Sequence, residues 1–394
     1  MSEPIVRIAA RGDGVTASGR YAELAAPGDL LLDDGMVEPG PSHQVPPCRH
    51  FPECGGCQLQ HVTDEAYSAY LKDRVTGALA QHGLKAKVRD PHLSPPRSRR
   101  RATLRAIRAG KGVIIGFNAA RSKRIVDMRE CHILRPEIFA LVKPLGKLLS
   151  GPLSVPSVAE IGLTLTDQGV DVLLSDIKAE GLHAAEAIPS FAEEYKLARL
   201  SVDDGYGIET RFEPSPVTVT LSGVPVVLPT GAFLQATADG EAALADEVRE
   251  AVAGSRRTAD LFAGIGTFAF ALGGQVTAAE ASRDAALTLQ MAARRAERLV
   301  TVEHRDLYRR PFEPKELQAF DAVVLDPPRA GAEEQVKQLA ASSVPRIAYV
   351  SCNPATFARD AAILTGGGYR LDWIRPVGQF RWSTHIELVA SFRR

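Results

Sequence analysis

From Pro214 to the C-terminus, short β-prone runs alternate with helical ones, and this alternation restricts the fold more than any other feature. Arg257–Phe262, Val276–Glu280, Phe320–Leu325 and Arg346–Ser351 read as strands rich in apolar residues. Ala285–Arg298, Glu333–Ser342 and Pro354–Thr365 read as the helices between them. Strands and helices in that order pack as a parallel sheet covered by helices on both faces. Arg370–Phe380 and His385–Phe392 follow with no clear helix between them, which predicts an antiparallel final hairpin.

At 394 residues the chain is too long for one ordinary core, so further domains are expected upstream. Residues 1–45 carry short β-prone runs separated by glycine and read as a small β element, a possible truncated barrel. A Pro-rich break, "PGPSHQVPP", follows. Residues 46–213 read as a central α+β unit, with a helix over Glu65–Gln81 and strands near Ala102–Ile107, Val113–Asn118 and Gly169–Leu174. Residues 214–394 form the C-terminal unit.

No apolar run approaches the length of a membrane span, and Met1–Arg20 lacks the layout of a secretory signal. A cytoplasmic monomer without membrane contact is the expectation. The formal net charge is zero, but it hides a local imbalance. From Arg97 to Arg129 there are eleven Lys/Arg against one acid, Asp127. Basic runs are commonly solvated faces. This one has no alternating acids and can neutralise several phosphates, so RNA is the expected partner.

The run "TADLFAGIGTFAFAL" reads as a buried strand turning into a helix through Gly264 and Gly266. Glycines there let the backbone approach a ligand beyond the carboxyl edge of a parallel sheet. Such a turn alone is also an ordinary strand–helix connection. Glu280 ends the next strand and can accept from ribose hydroxyls, whereas a dinucleotide site would prefer a third glycine that is missing here. Asp306, in "EHRDLY", lies near the end of another possible strand and reads equally as a cofactor contact or a loop acid.

The five cysteines divide into four plus one. Cys48, Cys54 and Cys57 cluster around Gly55-Gly56, and Cys131 lies far downstream. In a cytosolic chain such a set points to metal or catalysis rather than disulfides. Iron–sulfur clusters commonly use four cysteines, and structural zinc more typically takes two close pairs.

The pieces "GAFLQAT", "DLFAGIGTF", "LDPPRAG", "SCNPATFARD" and "THIELVASF", in this order, resemble the RNA uridine-C5 methyltransferase family. "CRHFPECGGCQLQH" and "REC" resemble the cysteine pattern of its iron–sulfur branch, which acts largely on 23S ribosomal RNA. The resemblance implies an S-adenosylmethionine-dependent enzyme with a class I Rossmann-like domain and a mostly parallel seven-stranded sheet. It implies Cys352 as nucleophile, Glu387 as base and Asp326 as a further catalytic group. Gln235, Phe262, Gly264, Thr267, Glu280, Asp306 and Asp326 would contact the methyl donor, and Cys48, Cys54, Cys57 and Cys131 would hold a [4Fe–4S] cluster. Ala263 stands where relatives often have cysteine, and "LTLQMAARRA" lacks their common asparagines.

The residue types suit that chemistry. Uridine C5 is too weak a nucleophile to attack a sulfonium methyl until a thiolate adds to C6. A base must then remove the C5 proton before the thiolate leaves. Outside this context Cys352 would be a buried structural cysteine and Glu387 an ordinary strand-edge acid. Transfer-RNA uridine, cytosine C5, and a non-catalytic RNA-binding assembly role are the competing expectations.

Overall fold

The computed structural model describes residues 2–394. Its largest sheet contains seven strands from the C-terminal unit: β1 (Arg257–Leu261), β2 (Gln275–Glu280), β3 (Val300–His304), β4 (Ala322–Leu325), β5 (Arg346–Ser351), β6 (Arg370–Gly378) and β7 (Glu387–Arg393). Their spatial order is β3-β2-β1-β4-β5-β7-β6. Only β7 runs antiparallel to its neighbours in this set, so the expected final hairpin is present, with its second strand inserted between β5 and β6. The order reverses between β1 and β4, which leaves a crevice beyond the carboxyl ends of these strands.

The longer helices of the C-terminal unit cover the sheet: α1 (Ala238–Ala251), α2 (Arg283–Arg295), α3 (Glu333–Ala340) and α4 (Pro354–Gly366). Their starts are written in the sequence. The side chains of Thr237, Ser282 and Asn353 cap the first turns of α1, α2 and α4, and Pro354 occupies the first position of α4. Alternate residues of each central strand feed two separate cores. Val323, Leu325, Ile347 and Tyr349 pack with α3 and α4, while Ala322, Val324, Ala348 and Val350 pack with α1 and α2. Burial on both faces explains why these strands read as nearly continuous apolar runs.

The sheet has nine strands rather than the expected seven, because Lys87–Val88 and His92–Leu93 pair in parallel with β6. The preceding helix, Asp64–Ala80, buries Tyr67, Leu71, Val75 and Leu79 in the same core as α3 and α4. Residues 64–93 therefore pack on the C-terminal sheet, although the sequence groups them with the central unit. Nothing in helical periodicity says which sheet a helix will cover.

The remaining central residues form a six-stranded sheet from Arg101–Ala109 to Ile208–Phe212, backed by the helices Val142–Ser150 and Gly181–Glu194. The N-terminal element is an open, five-stranded antiparallel path over Glu3–Glu38. Its core is small, Ile5, Ala22, Ala25 and Leu31, and buried Asp29 reinforces it by accepting from the Ala26 and Gly40 amides.

The basic run is less unbalanced than its local sequence implies. Acids from distant segments meet it: Glu241 pairs with Arg100, Glu160 with Arg105, Asp13 and Glu23 with Arg121, and Glu53 with Arg124. Among the described residues, Arg97, Arg108, Lys111 and Lys123 have no carboxylate partner, and neither do Arg99 and Arg101. The last two line the crevice described next. No helix among the described residues is long and apolar enough to cross a membrane.

Candidate active site

The crevice is a cavity of about 900 Å³, within the range of sites that enclose a cofactor-sized ligand. On one side β1 ends in Leu261 and the backbone turns sharply. Phe262 adopts φ +64°, Gly264 +55° and Gly266 +103°. Glycine is required at Gly266, where an added Cβ would lie 2.6 Å from the Phe270 ring. Glu280, at the end of β2, accepts from the Gly264 amide at 2.9 Å and from the Ser282 amide at 2.7 Å. It thus fixes the glycine turn against the start of α2, and each oxygen keeps a lone pair for a ligand hydroxyl.

The carboxyl ends of β4 and β5 and the start of β7 supply the opposite side. Asp326 follows β4, and its backbone amide donates to the Leu261 carbonyl at 3.2 Å. Cys352 follows β5, half-buried, immediately before the Asn353 cap of α4. Glu387 begins β7 and is 6% exposed. Behind it, Gln379 donates to the Gln235 side chain at 2.8 Å and accepts from the Ala236 amide at 2.9 Å.

Three groups in this cavity have altered acidities. Burial pushes the Cys352 thiol up to about 11, with the charges of Glu387 and Asp326 adding and Arg329 opposing. Burial and the neighbouring Asp326 raise the Glu387 carboxyl to about 8, against a hydrogen bond from Gln379 and the charge of Arg329. Burial raises Asp326 to about 7. A carboxyl near 8 is an unusually strong base once ionised.

All the residues expected at the donor and catalytic sites line this one cavity: Gln235, Phe262, Gly264, Thr267, Glu280, Asp306, Asp326, Cys352 and Glu387. Tyr308, Arg329, Gln379 and His385 were not expected. Tyr308 lies against Phe262 with ring centroids 5.6 Å apart, and its proximity to Asp306 in sequence was the available signal. Arg329 sits within the quoted "LDPPRAG". Gln379 lies in an ordinary strand-end context that gave no signal.

A glycine turn, the acids Glu280 and Asp306, and the aromatic Phe262 and Tyr308 fit a nucleoside carrying a cationic sulfonium group. The four remaining cysteines line a second, apolar cavity together with Phe51, Phe117, Met128 and Ile133. Burial pushes the Cys57 thiol up to about 12, and the other three cysteines add to the shift. Among the described residues no group of three or more His, Cys, Asp or Glu is arranged to hold a single metal ion. The donor chemistry, four thiols around one apolar space, fits a cluster with four thiolate ligands.

The strand order and the glycine-turn cavity define a doubly wound methyltransferase. Residues 230–393 match the family model described as tRNA (Uracil-5-)-methyltransferase. An RNA methyltransferase of Zymomonas mobilis is 50% identical over 393 residues, covering 99% of both chains. The 23S rRNA (uracil(1939)-C(5))-methyltransferase RlmD of Thiobacillus denitrificans is 30% identical, covering 91% of this chain and 88% of that one. The crystal structure of Pyrococcus abyssi tRNA (uracil-54, C5)-methyltransferase with S-adenosyl-L-homocysteine superposes with a TM-score of 0.75 at 24% identity, over 100% of this chain and 99% of that one. The chain belongs to the RNA (uracil-5-)-methyltransferase family. It is an RNA methyltransferase.

Proposed function

We propose that the enzyme methylates C5 of a uridine in 23S ribosomal RNA through a covalent bond between Cys352 and C6. The observation that carries this reading is the convergence of Cys352, Glu387 and Asp326 on one cavity. The Cys352 thiolate adds to C6, and the C5–C6 π electrons move toward O4 as an enolate. C5 then takes the methyl group supplied by S-adenosylmethionine. The Glu387 carboxylate removes the C5 proton, the double bond re-forms, and the thiolate leaves. Asp326 orients the base or the donor, and Gln235, Phe262, Gly264, Thr267, Glu280 and Asp306 hold the donor. The target base must leave its stack to enter the cavity.

Cys48, Cys54, Cys57 and Cys131 are assigned as ligands of a structural [4Fe–4S] cluster. The ribosomal substrate is favoured by the relative of Thiobacillus denitrificans, which is named for 23S rRNA. The family model carries a transfer-RNA name, so transfer-RNA uridine is the second reading. Nucleoside maps of both RNAs from a deletion strain decide between them. Loss of 5-methyluridine from ribosomal RNA is expected. Loss from transfer RNA would select the second reading, and loss of 5-methylcytidine would reject both.

A further inference from the structure

The loop between β6 and β7, residues 379–386, leads directly into Glu387, yet much of what anchors it comes from residues 58–67. The Trp382 carbonyl accepts from the Gln58 amide at 2.8 Å and from the Leu59 amide at 2.9 Å. The Gln58 side chain accepts from the Thr384 amide at 3.3 Å and donates to the Gly55 carbonyl at 2.6 Å. The Tyr67 hydroxyl reaches the Phe380 and Ser383 carbonyls at 3.2 and 3.0 Å, and Arg381 pairs with Asp64. These anchors begin at the residue following Cys57.

The loop also holds a strained residue. Trp382 adopts φ +57°, a left-handed conformation that a bulky side chain rarely takes. Such a residue persists only where its surroundings over-determine it. The two amide donors on its carbonyl and the burial of its ring in the core of the central unit do so. The shape of the loop therefore depends on the order of the Cys57–Leu59 turn.

We infer that the Cys57–Gln58–Leu59 turn is the positioning element for the loop that leads into Glu387, so that loosening the four-cysteine site slows proton removal from C5 more than attack by Cys352. Glu387 is itself fixed in the sheet by pairing with Val377, so the loop acts on it only from its N-terminal side, whereas Cys352 is not adjacent to that loop in the chain. It follows β5, whose residues pair with β4 and β7, and it precedes the capped start of α4. Gln58 is a positioning residue, acting through Trp382 and Thr384. The inference rests on the proposed roles of Cys352 and Glu387.

The test combines amide hydrogen exchange with single-turnover methylation, using the full-length anaerobic protein as wild type, Gln58→Ala, Gln58→Glu and Cys131→Ser. Exchange at Ser383, Thr384 and His385 should accelerate about fivefold in Gln58→Ala, as expected for one lost hydrogen bond. Cys131→Ser should accelerate it at least as much, although Cys131 does not touch the loop. Exchange in β5 should stay unchanged, which separates this effect from general unfolding. Gln58→Glu keeps the acceptor for Thr384 and should lie between wild type and Gln58→Ala. With uridine-containing RNA, Gln58→Ala should form the covalent protein–RNA adduct at the normal rate and resolve it several-fold more slowly. Unchanged exchange at 383–385 in Cys131→Ser would overturn the inference, as would equal slowing of adduct formation and resolution. If wild type formed no adduct at all, the proposed mechanism would fail while the exchange result still judged the link between turn and loop.

Discussion

Cys352 and Glu387 stand opposite each other, one step beyond the last hydrogen-bonded pair of β5 and β7. Ser351 pairs with Leu388 in an antiparallel register, so the residue after Ser351 and the residue before Leu388 share the same rim. In the proposed roles of nucleophile and base, groups placed this way reach different atoms of one planar ring without either strand moving. The inserted antiparallel strand makes this possible. A parallel β7 would enter the sheet from the opposite edge, and its first residue would lie far from Cys352.

Replacing Glu387 with glutamine separates two steps that most substitutions blur. Glutamine keeps the size and most hydrogen-bonding capacity but cannot take the C5 proton. Attack and methyl transfer then proceed, and elimination stops. A denaturation-resistant, methyl-labelled protein–RNA band is expected in Glu387→Gln and should be absent when Cys352→Ala is added. Normal turnover by the single variant would remove Glu387 from the mechanism. Cys352→Ala alone should abolish methylation and leave donor binding, measured by calorimetry, within a few-fold of wild type.

The same pair predicts a pH effect. Burial, then the charges of Glu387 and Asp326, raise the Cys352 thiol to about 11. Glu387 itself ionises near 8, so below that pH it is mostly neutral and opposes the thiolate little. Above pH 8 its charge appears and the opposition grows. Iodoacetamide alkylation of Cys352 should therefore be similar in wild type and Glu387→Gln at pH 7. Near pH 9.5 it should be up to about tenfold faster in the variant, one unit of thiol acidity being tenfold in thiolate. Equal rates across the range would show that the two groups do not interact.

Asp360 offers a test of how the two catalytic loops are held together. It is fully buried in α4 and accepts from the Tyr349 hydroxyl at 2.5 Å and the Ala332 amide at 2.8 Å, and Arg359 pairs with its other oxygen. It thereby ties β5, three residues before Cys352, to the end of the loop that starts at Asp326. Asp360→Ala leaves two buried donors without a partner and should cost about 2–4 kcal/mol in denaturant unfolding. Asp360→Asn keeps an acceptor and should cost less. In both, kcat should fall more than donor affinity, because Glu280 and the glycine turn lie outside this clamp.

Much of the C-terminal unit was legible in the sequence because its strands are buried on both faces and helices start after Ser282 and Asn353, although the helix Ala238–Ala251 behind Thr237 was not expected. Those are local signals. Part of the cavity was legible because the motifs around Phe262, Glu280, Asp326 and Cys352 each follow or end a strand, and parallel strands bring their carboxyl ends to one edge; Gln235 and Glu387 entered only through the resemblance. What was hidden depends on contacts between distant segments. The helix Asp64–Ala80 carries the apolar spacing of any covered helix and does not announce its partner sheet. The run from Arg97 to Arg129 looked unneutralised because Glu241, Glu160, Asp13 and Glu53 lie outside any sequence window. Reversing Arg99, Arg100 and Arg101 together is accordingly a poor probe of RNA binding, since Arg100 belongs to a partly buried pair with Glu241.

The four-cysteine cavity gives the last prediction. A single zinc ion binds thiolates at about 2.3 Å and draws four sulfurs into one tight tetrahedron. A cubane cluster spreads the same four ligands around a larger core. Phe51, Phe117, Met128 and Ile133 line the cavity with the cysteines, beside the polar His50, Gln60, Glu130 and His132. Protein purified without oxygen should be brown and contain about four iron atoms per chain, as a four-thiolate cluster requires. Cys54→Ser and Cys131→Ser should each lose most of that colour, whereas Cys352→Ala should keep it in full, because Cys352 lies in the other cavity. Slow chelation of the iron should lower the melting temperature by several degrees, since the proposed cluster would join the Cys48–Cys57 turn to Cys131 across more than seventy residues of chain. Stoichiometric zinc without iron, in protein never exposed to oxygen, would refute the cluster and assign these cysteines to a structural zinc site.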